Sequence, residues 1–508
     1  MKIISGSTGK VLREHISNGG WSGSNFGDAG ATVGDLNGDG FDEYMISSPR
    51  TSDEVLGRTG MVTVYSGQDG SIFQSFSGLS HNDEFGAAVA GNADVNNDGL
   101  NDIIVGAPQT SNSSGRGYVQ VFSGADGSLL HHIDSGPSHG RFGFSVTGLA
   151  DQNGDNFDEI VIGDPYASGG VEVSSVGRVD IFSGADASFQ SSLNPIPVGI
   201  SIFAVDSDDI RYTNFGWRVA STNDLNGDAV ADLIVSATGQ RNDEGSRVGA
   251  VMAFGVSNGV RQDLYRIYGD SGSNQFGLGL DVIGDQNGDG VDEIIVGSPY
   301  RFDSEAEVPL PAAVHVLSGV NGKRLITLES QVDSQFGISI AGLGDLNSDG
   351  LVDFIVGAPS FDSHSQDIGA AIVFSLGGDW DEDGFANLDD PFPLRYTNIG
   401  DDSDGDSLTD LEEHALGTNP SKPDTDGDGL NDGEEVNTYL TNPLHQDSDL
   451  DRIDDFGEVQ QGTNPNDPTS KPNELPASLF EVRSGTESFT FAGSVAPVSD
   501  THLRAHVT

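Results

Sequence analysis

Short runs of alternating apolar and polar residues, separated by acidic turns, organise most of this chain. One stretch shows the unit in full. From Phe85, FGAAVAGNAD alternates small apolar residues with others, the period of a strand. An acidic turn follows, then IIVGAP from Ile103, a continuous apolar run typical of a buried strand. After a variable stretch, GYVQVFSG from Gly117 alternates again. ADGS from Ala125 supplies turn residues, and LLHHI from Leu129 reads as a fourth short strand. No helix-length periodicity interrupts the pattern.

The unit recurs in one frame. Nine-residue acidic loops begin at Asp35, Asp94, Asp151, Asp224, Asp285 and Asp345. Phe-Gly stands nine residues before each, at Phe26, Phe85, Phe142, Phe215, Phe276 and Phe336. Small-residue triplets follow at Ser47, Gly106, Gly163, Ser236, Gly297 and Gly357, all but one ending in Pro. A fixed frame of about 60 residues is an array of one supersecondary unit. Four antiparallel strands per unit predict an all-β fold, a β-propeller whose radial stacking hides the sheet edges.

Closure of the ring has two readings. The last copy has its third strand, GAAIVFSL from Gly369, but no fourth. Lys10–Ile16 supplies that strand and clasps six blades, or it belongs to a seventh blade of which half is missing. Residues 1–16 align with VQVFSGADGSLLHHI from Val119, the second half of a repeat. The reading leans to seven blades and expects the natural start, with any secretory signal, to lie upstream.

Composition narrows the partners. A chain of 508 residues allows two or three domains. Its net charge of −56 excludes phosphate-neutralising contact with nucleic acid and attraction to anionic membranes. The absence of Cys excludes disulfides as staples, and no apolar run reaches the roughly 18 residues of a membrane span.

The acids sit at alternate positions of each loop. Positions 1, 3, 5, 7 and 9 are Asp35, Asn37, Asp39, Phe41 and Glu43 in the first copy, and Asp94, Asn96, Asp98, Leu100 and Asp102 in the second. They are Asp151, Asn153, Asp155, Phe157 and Glu159 in the third, and Asp224, Asn226, Asp228, Val230 and Asp232 in the fourth. The fifth has Asp285, Asn287, Asp289, Val291 and Glu293; the sixth has Asp345, Asn347, Asp349, Leu351 and Asp353. Carboxylates, an amide and the position-7 carbonyl are the oxygen donors Ca²⁺ prefers; Mg²⁺ keeps its water, and Zn²⁺ would call for His or Cys. Carboxylates about 4 Å apart repel by roughly 4 kcal/mol per pair at an effective dielectric near 20, so a cation is expected. Position 6 is Gly in four copies and Asn156 in another, residues that accept positive φ. Ala229 does not accept it cheaply, so the fourth loop is expected to bind most weakly.

Phe-Gly, acidic nonapeptide and Gly-Ala-Pro together resemble the FG-GAP repeat of integrin alpha chains and bacterial surface proteins. The resemblance covers residues 1–376. It implies that each acidic loop joins a blade's first two strands and holds Ca²⁺ on one face. Recognition of an extracellular protein or glycan would use the opposite face, through Arg50–Gly60, Gln109–Arg116, Tyr166–Arg178, Gln240–Arg247, Tyr300–Pro311 and Ser360–Asp367.

After Leu376 a spacing of about 22 residues takes over. Twelve-residue acidic loops start at Asp379, Asp402, Asp424 and Asp447. Their candidate ligands are Asp379, Asp381, Asp383 and Asp390; Asp402, Asp404, Asp406, Asp410 and Glu413; Asp424, Asp426, Asp428, Asp432 and Glu435; and Asp447, Asp449, Asp451, Asp455 and Glu458. The spacing is that of an EF-hand loop, read here without flanking helices. The array resembles bacterial thrombospondin type 3 calcium repeats. Residues 377–472 are therefore expected to form a calcium-stiffened stalk with almost no apolar core. Residues 473–508 read as an incomplete or artefactual end, because Val498–Thr508 looks like a translated sequencing adapter.

No catalytic constellation emerges. The His residues are scattered, and no nucleophile elbow or phosphate-binding Gly loop occurs in context. Three functions remain open: a calcium-dependent extracellular or cell-surface adhesion module, a scaffold part of a larger surface protein, and a propeller hydrolase or lyase.

Overall fold

The computed structural model describes residues 2–4, 11–15, 24–53, 57–109, 116–135, 140–168, 176–195, 212–242, 245–257, 260–270, 275–303, 308–330, 334–346, 350–360, 370–377, 402, 404–409, 412–413, 416, 418–419, 422–451 and 453–470. The chain divides into two units, Met1–Asn398 and Ile399–Thr508.

In the first unit the alternating runs form antiparallel sheets. An N-terminal hairpin pairs β1 (Lys2–Ile4) with β2 (Val11–Glu14). The first blade contains β3 (Gly30–Gly34) and β4 (Glu43–Ser48), a ribbon of β5 (Ser52–Asp53) and β6 (Gly57–Arg58), then β7 (Met61–Tyr65) and β8 (Ile72–Ser77). The second is β9 (Ala88–Ala93), β10 (Asp102–Ala107), β11 (Tyr118–Phe122) and β12 (Leu129–Asp134). The third is β13 (Ser145–Leu149), β14 (Glu159–Asp164), β15 (Arg178–Phe182) and β16 (Phe189–Leu193). The fourth is β17 (Phe215–Thr222), β18 (Asp232–Ala237), β19 (Ala250–Ser257) and β20 (Val260–Tyr268). The fifth has β21 (Leu280–Val282), β22 (Ile294–Ser298), a ribbon of β23 (Arg301–Asp303) and β24 (Val308–Leu310), then β25 (Ala313–Leu317) and β26 (Arg324–Glu329). The sixth is β27 (Ser339–Gly344), β28 (Asp353–Ala358) and β29 (Ala370–Phe374), three strands among the described residues. Six blades make the predicted all-β propeller.

The motif residues are the joints between blades. Each hydrophobic core straddles two successive blades, and five such cores link the six. Phe85, Phe142, Phe215, Phe276 and Phe336 are each buried in one of them. Full burial of such a ring contributes about 1.5–3 kcal/mol. The triplet glycine permits close contact with the next blade. A Cβ on Gly106 would lie 2.1 Å from the Gly143 carbonyl oxygen, and one on Gly297 would lie 1.9 Å from that of Gly337. Those Phe-Gly glycines have φ of 84° and 88°, which disfavours other residues there.

The clasp expectation for Lys10–Ile16 is corrected. Strand β2 pairs with β1, and its Arg13 and the adjacent His15 meet the first blade. The Arg13 side chain abuts Gly70 in the β7–β8 turn, as Gln74 of β8 abuts Gly127 in the next blade's turn. His15 bonds Tyr44 Oη at 2.7 Å and packs on Tyr65. The hairpin thus takes the place of the third and fourth strands of a blade ahead of the first.

In the second unit, short helical segments follow the acidic loops: α1 (Asp432–Glu434), continued by a π-helical turn over Glu435–Tyr439, and α2 (Asp455–Gln461). This corrects the expectation of loops without helices. Asn431 and Glu434 form a capping box, and Asp454 caps α2, which ends at Gly462 with φ 72°.

Candidate metal centres

Each propeller loop connects a blade's first and second strands, so its ninth acid starts, or stands directly before, a buried strand. Glu43, Asp102, Glu159, Asp232 and Glu293 are fully buried there, and Asp353 nearly so. The first aspartate folds the turn around itself. Asp35 accepts from the amides of Gly38 at 2.7 Å, Asp39 at 3.1 Å and Gly40 at 2.8 Å. These amides, Gly40 first, hold its carboxyl below the usual range. Asp94, Asp151, Asp224, Asp285 and Asp345 each accept the position-6 amide in the same way. The fifth residue accepts the amide of the seventh: Asp39 from Phe41, Asp98 from Leu100, Asp155 from Phe157, Asp228 from Val230 and Asp289 from Val291.

The ninth acid is turned toward positions 2 and 3. Glu43 accepts from Leu36 N and Asn37 Nδ2, each at 2.7 Å. Asp102 pairs with Val95 N and Asn96, Glu159 with Gln152 N and Asn153, Asp232 with Leu225 N and Asn226, and Glu293 with Asn287. Asp353 accepts from Leu346 N. Burial pushes Asp102, Glu159 and Glu293 up to about 7 and Asp232 up to about 6, and neighbouring loop aspartates add to the rise. No three carboxylates of one propeller loop lie within 4.8 Å of one another among the described residues. Asn347 and Asp349 lie outside the described residues, as do Asp379, Asp381, Asp383, Asp390 and Asp410.

Convergence occurs in the second unit. Ligand atoms of Asp402, Asp404 and Asp406 come within 4.8 Å of one another, as do those of Asp424, Asp426 and Asp428 and of Asp447, Asp449 and Asp451. The helical segments swing the twelfth residues, Glu435 and Glu458, into full burial. One carboxylate oxygen of Glu435 and both of Glu458 have no hydrogen-bond donor. Burial lifts Glu435 to about 8 and Asp426 to about 6, with nearby aspartates reinforcing both shifts. Buried acceptors without donors cost several kcal/mol unless a cation answers them, so these residues fit Ca²⁺.

The ninth residues of these loops behave differently from expectation. Asp432 accepts from Thr425 N at 2.8 Å and Thr425 Oγ1 at 2.6 Å, and Asp455 does the same with Ser448. Asp432 also gathers with Asp406 and Glu413 of the preceding loop. Asp406 accepts from Gly433 N at 2.9 Å and Asp428 from Phe456 N at 3.1 Å, tying each loop to the next repeat.

Sequence reasoning passed over position 8 of the propeller loops. Asp158 accepts from Asp94 N in the preceding blade at 2.9 Å and from Asp151 N at 3.2 Å. Asp292 likewise holds Asn223. The signal was the extra acid beside position 9.

A cavity of about 740 Å³ lies among the inner strands of all six blades, with Asp28, Arg50, Glu84, Arg218 and Asp281 in its wall. Arg218 Nε donates to Leu278 O at 3.3 Å, and burial holds the guanidinium below its usual value. Of the predicted recognition loops, residues 54–56, 110–115, 169–175, 243–244, 304–307 and 361–367 lie outside the described residues.

Comparison with known proteins places these features. The FG-GAP repeat model matches residues 85–122, 215–251 and 336–374. The bacterial TSP3 repeat model matches residues 402–423, 424–445 and 457–468. Integrin alpha-5 of Xenopus laevis is 29% identical over 216 residues, and integrin alpha-8 of Mus musculus 30% over 217. Each match covers 41% of this chain and 19% of the relative. Among solved structures, the V. cholerae biofilm matrix protein Bap1 aligns over 68% of this chain and 76% of its own, with TM-score 0.32 and 14% identity. Rhamnogalacturonan lyase YesW aligns over 63% of each, with TM-score 0.33 and 16% identity. Among the described residues no helix is long and apolar enough to cross a membrane. The chain thus carries FG-GAP repeats in its propeller and bacterial TSP3 repeats in the segment that follows.

Proposed function

We propose that this chain is a calcium-stabilised adhesion or ligand-recognition module, acting without catalysis outside the cell or on its surface. The propeller presents loops of unequal length on a rigid scaffold, and the second unit is a calcium-stiffened spacer. The observation that carries the calcium reading is Glu458, fully buried with neither carboxylate oxygen answered by a donor, beside the cluster of Asp447, Asp449 and Asp451. The ligand is an extracellular protein or a glycan. Resemblance to integrin alpha chains supports recognition as the role.

Calorimetric titration with Ca²⁺, run beside glycan and matrix-protein binding arrays, tests the proposal. It expects several exothermic or endothermic sites per chain and saturable ligand capture that EDTA abolishes. A flat titration sinks the metal reading; metal binding without capture of any ligand sinks the recognition reading. A second role is that of a scaffold within a larger surface protein; the match spans about a fifth of the integrin relatives, so their ligand recognition does not carry over by itself. That role predicts EDTA-sensitive folding and no ligand capture by this chain alone.

A further inference from the structure

The inner strands β3, β9, β13, β17, β21 and β27 begin on one face of the propeller and run to the acidic loops on the other. Near the loop end they are stitched together. Asn92 of β9 donates from Nδ2 to Thr147 Oγ1 at 3.2 Å and to Ser221 Oγ at 3.1 Å, and its Oδ1 accepts from Gly148 N at 2.9 Å. The second blade thereby bonds the third and the fourth directly. Asp281 Oδ2 accepts from Gly342 N at 2.9 Å and ties the fifth blade to the sixth. The cavity of about 740 Å³ lies beyond this layer, among the first residues of the same strands. It reaches solvent at the exposed Asp28 and Arg50. The pocket is thus floored on the loop side and opens on the opposite face.

Its wall alternates in charge. Asp28 and Arg50 come from the first blade, Glu84 from the turn ahead of the second, Arg218 from the fourth and Asp281 from the fifth. Arg218 and Asp28 stand on separate blades, close enough for each to feel the other's charge. Among the described residues no ion pair joins them. A gap therefore separates a guanidinium that only donates from a carboxylate that only accepts. Beside it Phe144, half-buried, lines the cavity, with the half-buried rings of Trp217 and Tyr166 at centroid distances of 4.7 Å and 6.4 Å.

We propose that this pocket takes the end of a neutral oligosaccharide, with Arg218 donating to one hydroxyl, Asp28 accepting from another, Arg50 at the rim and the Phe144 ring under a sugar's C–H face. The inference rests on the recognition reading above and names the ligand and its site. A hydroxyl both donates and accepts, so a sugar can span a gap between an obligate donor and an obligate acceptor. An anionic ligand would meet three carboxylates in the wall and the field of a chain of net charge −56. A cationic side chain would meet two guanidinia. The apolar face of a sugar ring gains by covering an aromatic ring that water otherwise wets. The volume falls within the range of pockets that enclose a whole small ligand, about 300–1,000 Å³.

The test uses the full chain in Ca²⁺. Neutral gluco-, galacto- and manno-oligosaccharides, tri- to pentasaccharides, are titrated by calorimetry beside oligogalacturonates of the same lengths and a panel of matrix proteins. At least one neutral series binds, and the oligogalacturonates do not. Asp28→Asn and Arg50→Ala, both at exposed positions, keep the melting temperature and weaken that binding about tenfold. Arg218→Gln weakens it at least as much. Silence of every neutral series while a matrix protein is captured overturns the sugar inference and leaves recognition standing; silence of sugars and proteins alike removes both. Sugar binding that all three variants leave unchanged belongs to another site and overturns the inference. So does preference for the oligogalacturonates.

Discussion

Ala229 adopts φ 65° at the sharp turn of the fourth loop, where four other copies place glycine and one places Asn156 at φ 67°. A left-handed alanine costs about 1–2 kcal/mol. Glycine removes that strain but adds back about 0.4–1 kcal/mol of unfolded-state entropy. Ala229→Gly should therefore stabilise the chain by about 0.5–1 kcal/mol, read from urea unfolding in calcium. An unchanged midpoint would mean that the loop relaxes around alanine. Leu450, at φ 64° and 81% exposed, offers the same experiment in the second unit. The buried ninth acids set a pH dependence. Glu159, Glu293 and Asp102 stand near 7 in the fold because burial opposes their charge, against about 4 in an unfolded chain. The folded metal-free chain thus binds protons that the unfolded chain has released between pH 4 and 7. That stabilisation is complete below about 4 and is lost as pH rises through 7. The chelated protein should melt higher at pH 5.5 than at pH 8; the opposite order would place those carboxylates in a solvated setting.

Glycines show how motif and element relate. Gly297→Ala would drive a Cβ to 1.9 Å from the Gly337 carbonyl, a backbone atom that cannot turn away. Gly357→Ala would crowd the Ser339 hydroxyl, which rotates, and its next nearest atoms, the Ser339 carbonyl oxygen and Cβ, stand at ordinary contact distance. Overpacking at the first site should cost about 3 kcal/mol, and the second should cost under about 1 kcal/mol, measured as paired melting shifts. Equal losses would refute the inter-blade role of the triplet. Strands and repeats were legible because alternation, Phe-Gly and the triplet all repeat in one frame, and packing obeys that frame. The helical segments were not, because α1 and α2 are only three and seven residues long, too short for a 3.6-residue period to show. The cap residues Asn431 and Asp454 were the available signal, hidden among acids already read as ligands. The same crowding hid Asp432, whose spacing assigns it to its own loop while the fold turns it to Thr425 and the preceding cluster. Glu458 tests whether the helix delivers a ligand. Glu458→Gln removes a buried charge without a donor, so the metal-free chain should gain stability while the calcium-loaded chain loses it. Calorimetry with and without chelator reads both signs, and a loss in both states would make the residue a packing element only.

At the scale of the molecule, the two units hold themselves together differently. The first has five apolar cores, each built on fully buried aliphatic and aromatic side chains. The second buries few large apolar groups among its described residues, Leu408 and Leu430 foremost, and packs acids instead. With net charge −56 over the chain, self-repulsion opposes both, but only the first has hydrophobic burial to offset it. An ion at 100 times its dissociation constant stabilises its site by about 2.7 kcal/mol. Three such loops supply about 8 kcal/mol, comparable with the whole stability of a small domain. Binding energy is then folding energy for the second unit, and a supplement for the propeller. The ties from Asp406 to Gly433 and from Asp428 to Phe456 make neighbouring repeats lose their order together. Chelation should therefore produce two separate events. Limited proteolysis in EGTA should cut within residues 402–470 first and leave a propeller-sized core, and the calorimetric trace should split, its upper transition lowered but intact. Simultaneous digestion of both units would show that the propeller, too, depends on its ions for existence. Resistance of both units to protease and to melting after complete chelation would remove metal from the account altogether.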